Sequence, residues 1–166
     1  QEVLILFDAY VHGALVRRGF LDKAAKYAVG GVTAAMLLEQ LSPRFAEAQQ
    51  VAPDDKRLKT ERVSYPSPQG NAKTSGYLVR PANATGKLPA VLVIHENRGL
   101  NPHIEDVARR IALENFMAFA PDALAAVGGY PGTEDEARKL FPTLDRAKTT
   151  EDMVAAATYV KGRPDS

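Results

Sequence analysis

The pattern of apolar and polar positions changes character along the chain. From Val3 to Leu41 the apolar residues recur at mixed three- and four-residue steps, the spacing of packed helices. Gly13 and the pair Gly30-Gly31 interrupt it, because glycine weakens a helix interior. The pattern predicts two helices, near Val3–His12 and Arg18–Leu41. AQQVAPDDKRLKTE is polar, contains a proline and reads as a linker. Beyond it, alternation replaces the helical step. ERVSYPS reads as a short strand stopped by Pro66-Ser67-Pro68-Gln69-Gly70, and KTSGYLVRPA as a second strand stopped at Pro81. After the turn NATGKLP comes PAVLVIH, a run with no polar face. Such a run suits a strand covered on both sides by helices, as in a parallel sheet.

Helix and strand then alternate. Asn101 or Pro102 opens a helix with Glu105 and Asp106 near its start and an apolar stripe of Ile104, Val107, Ala108, Ile111 and Ala112. FMAFAPDAL reads as a strand and TEDEARKLF as a short helix. TTEDMVAAATYVKGR reads as a longer helix, with Thr149 or Thr150 as its predicted cap. The order ββ-βα-βα places the chain in the α/β class. The predicted organisation is an N-terminal helical extension over 1–50 and an α/β domain over 51–166.

Composition mainly removes possibilities. The 166 residues include 21 Lys plus Arg and 20 Asp plus Glu, a net charge of +1, so there is no electrostatic basis for expecting nucleic acid. With no cysteine, disulfides, thiolate catalysis within this chain and cysteine zinc sites are excluded. The histidines, His12, His95 and His103, lack the H-E-x-x-H spacing, and neither a metal nor another cofactor is implied. Arg17-Arg18 precede Gly19-Phe20-Leu21, an uncharged stretch from Tyr27 to Leu38, and Ala46-Glu47-Ala48. That is the layout of a twin-arginine export signal with an A-x-A cleavage site. Asp22, Lys23 and Lys26 interrupt it, which favours a retained extension. The uncharged stretch is too short for a stable membrane span. Cytoplasm and periplasm both stay open as locations.

The chemistry concentrates in His95-Glu96-Asn97-Arg98-Gly99, a polar knot between the apolar strand and the next helix. Ligands of α/β proteins bind at such strand ends. His95 reads as a packed, hydrogen-bonded residue rather than a base. Glu96 is a candidate functional carboxylate, or else a helix cap or a partner of Arg98. Arg98 suits an acidic substrate group or a surface ion pair. Tyr130, in the loop AVGGYPG, is a candidate cleft residue, although the loop also reads as a plain turn.

PAVLVIHENRGLNPHIEDVARRIALENFMAFAPDAL resembles the dienelactone hydrolase family of α/β-hydrolases. The matching pieces are the strand, His95-Glu96, Gly99-Leu100-Asn101, the amphipathic helix and Ala120-Pro121-Asp122. YPSPQG…SGYLVRPA resembles the hairpin before it, and AAKYAVGGVTA the leader of one bacterial branch. The resemblance implies the N-terminal part of an α/β-hydrolase fold, a mostly parallel sheet with flanking helices. It implies a carboxymethylenebutenolidase-like esterase acting on an ester or lactone. Glu96 would control the ionisation of the nucleophile, the backbone N–H of Asn97 would supply one oxyanion donor, and Arg98 and Tyr130 would contact substrate.

The sequence departs from the family in two ways. PDALAAVGG holds Ala125-Ala126 where the family's enzyme has a substrate-binding arginine, which argues against dienelactone itself. There is also no G-x-S-x-G or G-x-C-x-G elbow, and Ser42, Ser64, Ser67, Ser75 and Ser166 all lie in other contexts. In the family's order, nucleophile, acid and histidine would all follow VKGRPDS. The expectation is therefore a chain inactive alone, completed by a C-terminal part of the same protein or by a second chain. The family's strand order puts PAVLVIH beside the nucleophile strand. Ala90–Ile94 is accordingly expected to pair with the C-terminal half or with a self-associated copy. The competing expectation is an inactive fragment, or a small-molecule binding or interaction domain.

Overall fold

The computed structural model describes residues 1–42 and 49–166, so the Ala46-Glu47-Ala48 motif lies outside the described residues. The backbone divides into two compact units, residues 1–44 and 45–166. In the first, α1 (Glu2–Val11), α2 (Arg17–Ala24), a 3-10 turn (Ala25–Tyr27) and α3 (Ala34–Leu41) enclose Tyr10, Phe20, Ala24 and Leu38. The rings of Phe7, Tyr10 and Phe20 meet at centroid distances of 6.0, 6.2 and 6.4 Å. The single helix expected over Arg18–Leu41 is two. Gly30 and Gly31 adopt φ of +64° and +85°, which breaks the helical path. Thr33 restarts it, its side chain accepting a hydrogen bond from Met36 N at 3.2 Å. Among the described residues no helix is long and apolar enough to cross a membrane.

The second unit is a mixed four-stranded sheet with helices on its faces. Strands β1 (Leu58–Val63), β2 (Gly76–Pro81), β3 (Ala90–Leu92) and β4 (Met117–Pro121) lie in the order β1-β2-β4-β3. The β1-β2 hairpin and the β2-β4 pair are antiparallel; β3 and β4 are parallel. Helices α4 (Pro102–Leu113), α5 (Glu134–Leu140) and α6 (Arg146–Lys161) complete the unit. Side chains of β4 alternate between two cores. Ala118 and Ala120 pack with Ala108 and Ala112 of α4, while Met117 and Phe119 pack with Ala156 and Val160 of α6.

One expectation is met on the faces of a strand but not at its edge, and another needs correction. PAVLVIH has a helix on each face, Val91 and Val93 packing with α4 and Leu92 with α6, but among the described residues β3 is an edge strand of three residues, with Ala90 exposed and Ile94 61% exposed. Its sequence is apolar enough for burial, but only β4 lies beside it. The cap of α6 is Asp145 rather than Thr149 or Thr150. Its carboxylate accepts from Ala147 N at 3.0 Å and Lys148 N at 3.2 Å, so the helix begins before the apolar residues do. The two threonine hydroxyls instead donate back to the carbonyls of Asp145 and Arg146. At α4 the expected start holds: Asn101 caps the helix, accepting from Ile104 N at 3.0 Å, and Pro102 follows it.

A buried clasp fastens the segment before β1. Asp106 Oδ1 accepts from Gln50 N at 3.1 Å and Val51 N at 2.9 Å. Arg109 Nε donates to the Val51 carbonyl at 2.9 Å, and its Nη1 to the Tyr77 hydroxyl at 3.3 Å. Both side chains are almost wholly buried, and Arg109 Nη2 lies 3.7 Å from Asp106 Oδ1. Residues that read as plain linker are thus part of the core, through polar groups that satisfy one another.

Candidate active site

Because β3 and β4 are parallel, the segments that follow them leave from the same end of the sheet. His95 ties those two ends together. Ala123 N–H donates to its Nε2 at 3.0 Å, and its Nδ1 lies 2.7 Å from the Glu96 carbonyl. An accepting Nε2 puts the proton on Nδ1, which then donates to Glu96. The ring is buried, its edge against Phe141 at 5.9 Å, with Asp122 Oδ1 at 3.9 Å from Nε2. This is the packed histidine expected from sequence, and its two bonds set the path of the next residues.

Those residues form a turn, Gly99 N–H donating to the Glu96 carbonyl at 3.3 Å. Gly99 has φ +76°, and a Cβ there would stand 2.9 Å from Leu124 Cδ1 and 3.2 Å from Tyr130 Cδ2. Conformation and space both call for glycine. Glu96 is exposed, and among the described residues its carboxylate has no hydrogen bond or ion pair. The cap is Asn101, and Arg98 pairs with another carboxylate, so neither structural role anticipated for Glu96 is the one seen. Asn97 is exposed, and among the described residues its backbone N–H has no hydrogen-bond acceptor. Its side chain borders a groove of about 460 Å³, with Phe141, Leu144, Arg146 and Thr149 on the other walls.

Arg98 Nη1 lies 3.1 Å from Glu134 Oε2, and Asn101 Nδ2 lies 3.4 Å from Glu134 Oε1. Tyr130 sits beside Gly99, half-buried. Burial, and then the charge of Glu134, push its phenol pKa upward, so the hydroxyl stays protonated. The structure thus brings Arg98 and Tyr130 into one cluster, while Asn97 faces the groove and Glu96 faces solvent. Glu134 was not anticipated. It stands first in an acidic helix start, Glu134-Asp135-Glu136, where the helix dipole already accounts for a carboxylate. Nothing local marks it as the partner of Arg98. Among the described residues no group of three or more His, Asp or Glu side chains could hold a metal ion.

The family model for the dienelactone hydrolase family matches residues 74–166. The chain belongs to that family. A YqhI-like model matches residues 1–28. YghX of Escherichia coli K12, a protein named as a hydrolase fragment, is 52% identical over 114 residues, covering 69% of this chain and 97% of YghX. A Synechocystis protein named as a carboxymethylenebutenolidase is 35% identical over 114 residues, covering 65% of this chain and 45% of its own length. A crystal structure described as a dienelactone hydrolase, from Klebsiella pneumoniae, superposes with a TM-score of 0.50 at 26% identity, over 65% of this chain and 46% of that one. The chain therefore spans about half the length of the latter two. The mixed sheet with its flanking helices is the part of an α/β-hydrolase that it shares with them.

Proposed function

We propose that the second unit forms one wall of the active site of a carboxymethylenebutenolidase-like esterase, acting on an ester or a lactone. The observation that carries this reading is the strand-end turn, where, among the described residues, the N–H of Asn97 has no acceptor and the solvent-facing carboxylate of Glu96 beside it has no partner. Acyl transfer builds negative charge on a carbonyl oxygen, and a fixed backbone donor stabilises that charge without reorganising. Glu96 adjusts the ionisation of a neighbouring nucleophile through its charge. Arg98 and Tyr130 border the bound substrate. The nucleophile, the acid and the histidine come from polypeptide outside these 166 residues, either a C-terminal part of the same protein or a second chain. That polypeptide pairs with Ala90–Ile94, the open edge of the sheet.

One observation favours a second reading, a non-catalytic binding domain: YghX, matched over nearly all its length, is itself named as a fragment. Hydrolysis of p-nitrophenyl acetate separates the two. The chain alone is expected to show no rate above its Glu96→Ala control. Mixed with the C-terminal half of a family member, it is expected to gain a rate whose pH dependence Glu96→Gln displaces while leaving the melting temperature nearly unchanged. A strong rate from the chain alone, abolished by replacing one of its serines, overturns the proposal. Assembly with that half without any rate supports the binding domain.

A further inference from the structure

The guanidinium at the strand-end turn already has its counter-charge. Arg98 and Glu134 face each other at 3.1 Å, each only 21% exposed, so solvent screens the pair less than it would a surface pair. Glu134 is held from a second side by Asn101, which is itself fixed as the cap of α4. Glu96, in the same turn as Arg98, adds an exposed carboxylate. Of these three groups, Arg98, Glu134 and Glu96, one is positive and two are negative. Arg146, which lines the same groove as Asn97, is exposed to solvent.

Resting on the hydrolase reading above, we infer that this site takes an ester or lactone that is uncharged, and that Glu134 is the residue that sets this preference. A substrate carboxylate at Arg98 would have to share the guanidinium with Glu134, bringing two like charges together, or displace Glu134 from a shielded pair. Both cost affinity. A neutral carbonyl or hydroxyl imposes neither cost. A guanidinium has five donors and can serve a neutral acceptor while keeping Glu134, and Tyr130, whose ring borders Gly99, carries a further hydroxyl donor. Glu134 touches no reacting atom in this account; it selects by occupying Arg98.

The test uses two probes of the same shape: a γ-butyrolactone bearing a carboxylate beside the ring oxygen, and the matching carboxamide. Each is titrated into the 166-residue chain while the amide resonances of Asn97, Arg98 and Gly99 are followed by NMR. The wild-type chain is expected to bind the carboxamide about ten-fold more tightly, the change expected for one unfavourable charge contact. Glu134→Gln, nearly the same shape, is expected to erase or reverse that preference by strengthening carboxylate binding, with the carboxamide within about two-fold of its original affinity. Adding Arg98→Gln to that variant should remove the gain. Wild-type preference for the carboxylate overturns the inference, as does binding of both probes with a ratio that Glu134→Gln leaves unchanged. If neither probe moves these resonances in any of the proteins, the inference is overturned, while the hydrolase reading is decided separately by the p-nitrophenyl acetate experiment.

Discussion

Strands β3 and β4 lie side by side and read almost alike, AVL and MAFAP, yet every residue of β4 is buried while β3 runs from exposed to half-buried, and after it Val93 is buried but Ile94 is open. The difference lies in what surrounds them. β4 has a strand on each side and a helix packed on each face; β3 also has helices on its faces, but among the described residues it has a strand on one side only. An apolar run records what a strand is built to pack against, and burial follows only where that neighbour is present.

Phe119→Ala in β4 should have the largest effect. Its ring is fully buried between Tyr65 at 5.6 Å and Tyr159 at 5.7 Å, and deleting such a ring costs about 3–5 kcal/mol, measurable by urea unfolding. Ile94→Ala in the isolated chain should stay within about 0.5 kcal/mol, as for an exposed residue. A similar loss at both positions would dissolve the contrast between the strands.

Hydrogen exchange sharpens the contrast at a smaller scale. Met117 N donates to the Pro89 carbonyl and Val93 N to the Phe119 carbonyl, so by the alternation of the ladder the amides of Leu92 and Ile94 point to the open side. In a monomer these two should exchange quickly while Val93 and Phe119 stay protected. Slow exchange at Leu92 and Ile94 that persists at high dilution would mean the edge is already covered. Protection that appears only with a C-terminal half would locate the partner.

The smallest effect concerns the strap beside the start of β3, where Leu88 N donates to the Asp165 carbonyl at 3.0 Å. Hydrogen bonds from Arg163, at 2.8 and 3.1 Å, hold the Asp165 carboxyl below its ordinary pKa. A carboxylate whose pKa is depressed by folding adds stability that is present above its unfolded value, about 4, and lost as the pH falls through the lowered one. Asp165→Asn should therefore flatten the acid limb of the stability curve by less than about 1 kcal/mol, with little change in the pH dependence at β4. An unchanged acid limb would show that the pairing of the Asp165 carboxylate with Arg163 adds nothing to stability.

Much of this architecture was legible from sequence because its signals are local. Asn101-Pro102 announces the start of α4, Pro66 to Gly70 announces the hairpin turn, and the apolar runs mark β3 and β4. The misreadings involve forces acting across the chain or polar residues doing a core residue's work. Asp145 does not stand out as a cap in the sequence because the first turn of α6 is polar and gives no apolar period. Gln50 and Val51 read as linker because their anchors, Asp106 and Arg109, are charged residues on a distant helix. Of the candidate site, the knot was visible at once, whereas the pairing of Arg98 with Glu134 needs the fold to bring them together.

The clasp also fixes where the molecule can be cut. A shortened protein that begins at Gln49 keeps both amides that Asp106 accepts and the carbonyl that Arg109 reaches. One that begins at Ala52 leaves an almost wholly buried aspartate and arginine with fewer donors and acceptors than they need, at about 1–3 kcal/mol for each orphaned group. The workable seam for dissecting this protein lies upstream of Gln50, two residues that look like spacer being the hinge pin of the domain that follows.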